Sequence, residues 1–199
     1  MPIDHSIMRA GARLYYVMGA SGAGKDSLLG YARRRLVDNL HIVFAHRYIT
    51  RPADAGGENH IALTAVEFEM RRRLGCFALD WQAHGHCYGI GCEIDLWLSL
   101  GIDVVINGSR GHFPQAANRY ANLVGILVEA APAILAERLH LRGREAGTEI
   151  HARLRRAAND ELDHHSLVRL RNDGPLQQAG ENLVRILAVG GRKPPTAQT

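Results

Sequence analysis

Short apolar runs alternate with helical patterns along the chain. The runs are rich in β-branched and aromatic residues and predict buried strands at residues 14–18, 42–45, 102–106, 123–128 and 167–170. The segments between them predict helices at residues 27–36, 66–74, 94–100, 133–141, 150–162 and 176–187. Strands that alternate with helices indicate an α/β fold with a parallel five-stranded sheet covered on both faces. Ligands of such sheets bind beyond the carboxyl ends of the strands.

The length of the chain favours a single domain. Its 199 residues, 46% of them hydrophobic, suffice for one sizeable core but are few for two. We expect an ordered core over about residues 12–189, loose residues before it and a disordered tail at 190–199. No apolar stretch reaches the roughly 18 residues of a membrane span, and the N-terminus lacks a secretory signal layout. A cytoplasmic protein without membrane contact is therefore predicted.

Charge and cysteine content narrow the classes of partner. The net charge is +4, but the basic residues are scattered, which disfavours nucleic acid and suits a small polyanionic substrate. Cys76, Cys87 and Cys92 form neither an even disulfide set nor a zinc-type pair, so reduced thiols are expected. The stretch with His84, His86 and Cys87 likewise matches no standard zinc spacing. The oligomeric state stays open, with a homodimer among the alternatives.

A glycine-rich segment joins the first predicted strand to the first predicted helix. Strand, tight turn, lysine and helix in this order are the context of a P-loop, whose backbone N–H groups bind phosphate. Lys25 is expected to reach the β- and γ-phosphates of ATP and to be catalytic. The predicted ATP-binding residues are Gly19, Ala20, Ser21, Gly22, Ala23, Gly24, Lys25, Asp26 and Ser27.

The residue after the lysine departs from the P-loop pattern. A Ser or Thr that ligates Mg²⁺ is usual there, whereas this chain has Asp26 followed by Ser27. A carboxylate is also a hard oxygen ligand, so Asp26 is a candidate ligand of Mg²⁺. Alternatively, Asp26 caps the helix N-terminus and Ser27 or water binds the metal. The sequence leaves both interpretations open.

Motifs beyond the P-loop run in the order seen in guanylate kinases, and the resemblance covers most of the chain. Thr50-Arg51-Pro52, Asp80-Trp81 and Tyr88-Gly89 fall within residues 46–92. The resemblance implies a P-loop NTPase fold with an acceptor-binding insertion there and a lid at about residues 138–157. Lid arginines of this kind close over the transferring phosphoryl group and neutralise its charge. The matching residues here are Arg138, Arg142 and Arg153.

The positions that would recognise a guanine base differ from those of guanylate kinases. Asp80 replaces a glutamate, Ile90 replaces a threonine or similar group, and residues 107–110 replace an Asp-x-Asp motif. A site discriminates a base by hydrogen bonds only if its donors and acceptors exist. A substrate without a base is therefore favoured.

A second set of motifs resembles the ribose 1,5-bisphosphate phosphokinase family of bacterial phosphonate breakdown. The motifs lie at residues 24–27, 47–52, 56–60 and 105–110. The resemblance implies transfer of the γ-phosphoryl group of ATP, with Mg²⁺, to the 1-phosphate of ribose 1,5-bisphosphate, giving 5-phosphoribosyl 1-diphosphate (PRPP). The candidate substrate-binding residues are Arg47, Thr50, Arg51, Glu58, Asp80, Tyr88, Asn107, Ser109 and Arg110.

Three alternative functions remain. A GMP kinase on the same scaffold is disfavoured by Ile90 and by residues 107–110. A non-catalytic binding module would tend to lose the P-loop lysine or the lid arginines, which this chain keeps. A kinase for a sugar or acid hydroxyl would need a general base, for which Asp80 is the candidate. In the favoured hypothesis the acceptor is an ionised phosphate, so in-line transfer needs no covalent enzyme intermediate.

Overall fold

The structure is a computed structural model, and it describes residues 11–55, 58, 60–141, 164 and 166–189. Its main sheet is parallel and has five strands in the order β2-β7-β1-β8-β9. They are β1 (Leu14–Gly19), β2 (Ile42–Phe44), β7 (Asp103–Asn107), β8 (Leu123–Glu129) and β9 (Leu167–Arg171). The predicted α/β fold with a parallel five-stranded sheet is confirmed.

Helices cover both faces of this sheet, which explains why its strands are apolar at successive positions. One face packs against α1 (Lys25–Arg35), α5 (Pro132–Leu141) and α6 (Leu176–Val189). The other packs against α3 (Glu93–Ser99) and α4 (Phe113–Arg119). In the middle strand, Tyr15 and Val17 face the first layer, whereas Tyr16 and Met18 face the second.

A second, four-stranded sheet lies within the predicted acceptor-binding insertion, in the order β4-β3-β6-β5. Its strands are β3 (Arg47–Ile49), β4 (Ile61–Ala62), β5 (Phe77–Ala83) and β6 (His86–Gly91). The helix α2 (Ala65–Arg73) begins after Thr64, whose side chain accepts a hydrogen bond from Glu67 N–H. A tight turn at His84 and Gly85, both with positive φ, joins β5 to β6.

The boundaries of several elements differ from the sequence predictions. Our prediction placed no strand within residues 46–92, and this is wrong. Strands β3 and β4 have three and two residues, too few for a readable alternation, whereas β5 and β6 have seven and six residues and were missed as well. Helix α4, which we missed, has seven residues and a proline in its first turn. Strand β7 extends to Asn107, one residue further than predicted. The helix predicted at 150–162, the lid beyond residue 141 and the tail at 190–199 lie outside the described residues.

No helix in the described ranges combines the length and the apolar character that a membrane crossing requires.

Candidate active site

The P-loop connects the end of β1 to the start of α1 at the carboxyl edge of the main sheet. Gly22 and Gly24 adopt φ values of 87° and 89°, which residues with a side chain rarely adopt. Gly24 is the N-cap of α1, and no side chain of the described residues caps the helix there. The first N–H groups of α1 are therefore available to an anion at this turn.

The side chain of Lys25 folds back onto the P-loop, where it is predicted to bind phosphate. Its Nζ donates hydrogen bonds to the carbonyl oxygens of Gly19 at 2.9 Å and Ala20 at 3.2 Å. Burial lowers the pKa of Lys25 to about 8; Arg47 and Arg110 act in the same direction, whereas Asp26 and Glu58 oppose it. An anionic ligand would therefore stabilise a charge that the protein alone holds at a cost.

Asp26 does not cap helix α1. The N-cap is Gly24, and Asp26 is the second residue of the helix, so the capping interpretation is wrong in its geometry. Its carboxylate lies in the first turn, where negative charge is favoured, and its Oδ1 accepts a hydrogen bond from Asn107 at 2.9 Å. Ser27 is exposed beside it. Asp26 and Ser27 together supply hard oxygen atoms next to the P-loop.

Asn107 links the P-loop helix to the acceptor-binding sheet. It ends β7, is 5% exposed, and donates from Nδ2 to both Asp26 Oδ1 and Glu58 Oε2. Two carboxylate acceptors fix which end of the amide is the nitrogen. The opposite atom, Oδ1, is buried and has no hydrogen-bond partner among the described residues.

Arg47 and Glu58 form a bidentate ion pair. Arg47 Nε and Nη2 each lie 2.6 Å from a different carboxylate oxygen of Glu58. The two side chains are only 14% and 12% exposed, and the guanidinium lies over the ring of Tyr88 at 5.0 Å from its centroid. Glu58 and Tyr88 therefore fix the orientation of Arg47. The sequence suggested these three residues separately, and the structure brings them together.

A cavity of about 190 Å³ adjoins this group of side chains, and Asp26, Arg47, Glu58 and Asn107 line it. Arg33 and Phe44 line it as well, and they contact each other with the guanidinium 5.6 Å from the ring centroid. Carboxylate, amide and guanidinium groups thus surround a space that adjoins the P-loop helix.

The other candidate substrate residues of the insertion occupy different positions. Thr50 is bonded to β6, since its Oγ1 accepts from Cys87 N–H at 2.8 Å. Arg51 is half-buried, and its carbonyl oxygen lies 3.1 Å from Nε2 of the buried His60. Asp80 lies in β5, in register with Gly89 of β6. The Thr50 hydroxyl is therefore used for a hydrogen bond within the sheet of the insertion.

Ser109 and Arg110 follow β7 directly. The main chain of Ser109 is hydrogen-bonded on both sides to the hydroxyl of Tyr16. Arg110 is half-buried and begins a 3-10 turn, and its positive charge adds to the effect of burial in lowering the pKa of Lys25. The candidates whose charges converge at Lys25 are Asp26, Arg47, Glu58 and Arg110.

Aromatic contacts connect the insertion to the turn that follows β7. Trp81 stacks on Tyr88 with ring centroids 5.6 Å apart and on His112 of that turn with ring centroids 5.5 Å apart. Burial lowers the pKa of His112, against an opposing effect of Asp80. A neutral imidazole is therefore favoured in the stack at neutral pH.

Asn172 contacts the P-loop from the end of β9, a role that our sequence analysis missed. It is 2% exposed and donates from Nδ2 to Ala23 O at 2.7 Å. A Cβ on Gly24 would collide with this Nδ2, so the glycine also permits the close approach. Asn172 follows a predicted strand, and the rule that ligands bind at strand ends would have identified it.

Arg138 is the predicted lid residue that the structure describes. It lies in α5, and its Nη1 is buried without a hydrogen-bond partner among the described residues. The same Nη1 lies 3.6 Å from where a Cβ on Gly24 would be, so the guanidinium reaches the P-loop. Arg142 and Arg153 lie outside the described residues.

The described residues contain no group of three or more His, Cys, Asp or Glu side chains arranged to hold a metal ion. Mg²⁺ usually binds to one or two carboxylates and completes its shell with water and phosphate oxygens. The oxygen atoms of Asp26 and Ser27 fit such a partial shell.

Comparison with known proteins identifies similar chains. The chain is 50% identical over 185 residues to the ribose 1,5-bisphosphate phosphokinase PhnN of Desulfomicrobium baculatum, covering 92% of this chain and 99% of that protein. It is 54% identical over 180 residues to the protein of the same name from Chromobacterium violaceum, covering 90% and 95%. Among solved structures, a guanylate kinase from Anaplasma phagocytophilum superposes with a TM-score of 0.63 at 13% identity, covering 95% and 91%. At this low sequence identity, the structural similarity shows the fold alone. No protein-family model matches the chain.

Proposed function

Because the chain belongs to the ribose 1,5-bisphosphate phosphokinase family, we propose that it phosphorylates ribose 1,5-bisphosphate with ATP. An oxygen of the acceptor's 1-phosphate forms a bond to the γ-phosphorus of ATP as the bond from that phosphorus to the bridging oxygen breaks. The products are ADP and PRPP, and ATP itself supplies the group transferred.

The convergence of cations at the P-loop is the observation that carries this proposal. Burial lowers the pKa of Lys25, and the positive charges of Arg47 and Arg110 add to this effect, so three cationic groups act on one region. ATP and a sugar bisphosphate both bring phosphates to that region, and their charges would be compensated there. Ile90, fully buried and paired with Arg47 across the strands, offers no side-chain hydrogen bond to a base.

The P-loop residues would hold and orient ATP. Lys25 would exchange its two carbonyl contacts for the β- and γ-phosphates, and the first N–H groups of α1 would bind phosphate oxygens. Arg138, whose Nη1 lies buried beside Gly24, would add positive charge from helix α5. We retain Arg142 and Arg153 as predicted lid residues, which would complete the enclosure of ATP.

The acceptor would lie between the insertion and the end of β7. Arg47 uses Nε and Nη2 for Glu58, and its third nitrogen, Nη1, is not part of that pair. Arg51, Ser109 and Arg110 would supply further contacts to the two phosphates. Positioning and charge stabilisation are then the main contributions of the protein, because an ionised phosphate needs no strong base to react.

Mg²⁺ would be held by Asp26 and Ser27 together with the phosphates of ATP, and it would neutralise charge on the transferring group. The hydrogen bond from Asn107 to Asp26 Oδ1 orients the carboxylate for this role. The reaction would take place in the cytoplasm, where ATP is available.

A side-by-side kinetic assay tests the proposal. ADP release is followed with ATP and Mg²⁺ on ribose 1,5-bisphosphate and, separately, on GMP, and PRPP is detected directly. We expect rapid turnover of the bisphosphate and little turnover of GMP. Preference for GMP would make the chain a guanylate kinase, and inactivity on both would favour a binding module.

A further inference from the structure

Tyr16, in the middle strand of the main sheet, binds the loop that follows β7. Its side chain is fully buried. Its hydroxyl donates a hydrogen bond to the carbonyl oxygen of Ser109 and accepts one from the N–H of Ser109, both at 2.9 Å. One phenol therefore satisfies both main-chain polar groups of Ser109.

The Tyr16 hydroxyl binds the chain just beyond the last main-chain hydrogen bond between β1 and the end of β7. The last bond from this segment to β1 runs from Gly108 N–H to Val17 O at 2.8 Å. Ser109 comes next, and its N–H donates to the Tyr16 side chain in place of a strand. The ring also lies directly under the loop, since a Cβ on Gly108 would collide with Tyr16 Cε1 and Cζ.

The residues on either side of this anchor carry the charges and contacts of the candidate site. Asn107 precedes it and bonds to Asp26 and Glu58, while Arg110 follows it and is a candidate residue for the acceptor phosphates. Any displacement of the loop would move Ser109 and Arg110, two of the candidate residues for the acceptor phosphates. A small change of geometry is sufficient to weaken catalysis or binding at such a site.

We propose that Tyr16 is a positioning residue: its hydroxyl holds the loop that follows β7 in place through Ser109, and Gly108 allows this loop to pack directly against the Tyr16 ring. The inference deepens the proposed function and rests on it. The hydroxyl of Tyr16, although remote from solvent, should therefore affect the affinity for the sugar bisphosphate and leave the affinity for ATP unchanged.

Replacement of Tyr16 by phenylalanine is the direct test, because it keeps the ring and removes only the hydroxyl. We expect the KM for ribose 1,5-bisphosphate to rise about tenfold, the scale of one or two lost hydrogen bonds. The KM for ATP should stay within about twofold on the same scale.

Tyr15 offers a matched control in the adjacent position. It is equally buried but faces the opposite layer, against α1 and α6. Tyr15→Phe should leave both KM values unchanged. Equal effects of the two substitutions, or a rise in both KM values for Tyr16→Phe, would overturn the proposal, because either result would indicate a general loss of packing.

A pair of glycine variants tests the same contact from the side of the loop. Gly108→Ala should raise the acceptor KM, because the added methyl group collides with the Tyr16 ring. Gly111→Ala is the control, since its Cβ would have Ser109 Oγ at 4.0 Å as its nearest neighbour. Similar kinetics for the two alanine variants would refute the role of Gly108. A wild-type enzyme inactive on the bisphosphate would instead refute the proposed function, which separates the two failures.

Discussion

The buried ion pair between Arg47 and Glu58 allows the effect of Glu58→Gln on the free energy of unfolding to be predicted. Glu58 accepts two hydrogen bonds from Arg47 and a third from Asn107, and the pair is almost removed from solvent. Glutamine keeps one acceptor oxygen and directs an NH₂ group at a guanidinium or an amide nitrogen. Breaking one side of a buried pair leaves an uncompensated charge, so we expect a loss of about 3 kcal/mol in the free energy of unfolding.

Thermal and urea unfolding, followed by circular dichroism, would measure this loss. For a chain of this size, a change of about 3 kcal/mol lowers Tm by about 6–12 °C. Glu69→Gln is the matched control, because Glu69 also contacts two arginines but lies on the exposed face of α2. It should leave Tm unchanged, since exposed ion pairs contribute little.

A double variant distinguishes the lost pair from a lost side chain. Arg47→Met combined with Glu58→Leu removes both charges, so it should be less destabilised than the sum of the two single variants. A Tm of Glu58→Gln equal to that of the wild type, or additive effects in the double variant, would refute the electrostatic argument.

Three further predictions concern the P-loop. Lys25→Ala should lower kcat/KM by several orders of magnitude in steady-state assays, and a nearly wild-type rate would contradict the role of the lysine. Because burial lowers the pKa of Lys25 to about 8, the kcat/KM for ATP should fall as pH rises through that value, whereas residual activity of Lys25→Arg should show no such decline. Asn172→Leu removes the donor to Ala23 O, so the KM for ATP should rise about tenfold while the KM for the acceptor changes little. Calorimetric titration with ADP would show whether the nucleotide affinity itself is lost.

The elements that the sequence predicted well are those whose pattern is set locally. Strand β1 is apolar at every position from Leu14 to Met18 because both faces are covered, so its run was unambiguous. The P-loop was equally readable, since its glycines serve a backbone conformation that few other residues adopt. Strands β3 and β4 depend on pairing with distant segments, and their few residues carry no period of their own.

The candidate site was only partly predictable because its contacts join distant positions. Arg47 and Glu58 are separated by 11 residues, and Asn107 is 81 residues from Asp26. Residue type suggested that each could bind a ligand, but only the structure shows that these side chains bind one another. Tyr16 gave no signal at all, since a tyrosine in an apolar strand is indistinguishable from a core residue until its hydroxyl partner is known.

Transfer of label from ATP to the acceptor is the decisive test of the proposed reaction. The protein is incubated with Mg²⁺, ribose 1,5-bisphosphate and ATP labelled at the γ-phosphorus, and the products are separated and identified by ³¹P NMR and radiolabel. We expect the label in the terminal phosphate of the diphosphate on C1 of PRPP. Label found only in inorganic phosphate, or remaining in ATP while GMP is phosphorylated in a parallel reaction, would contradict the proposed reaction.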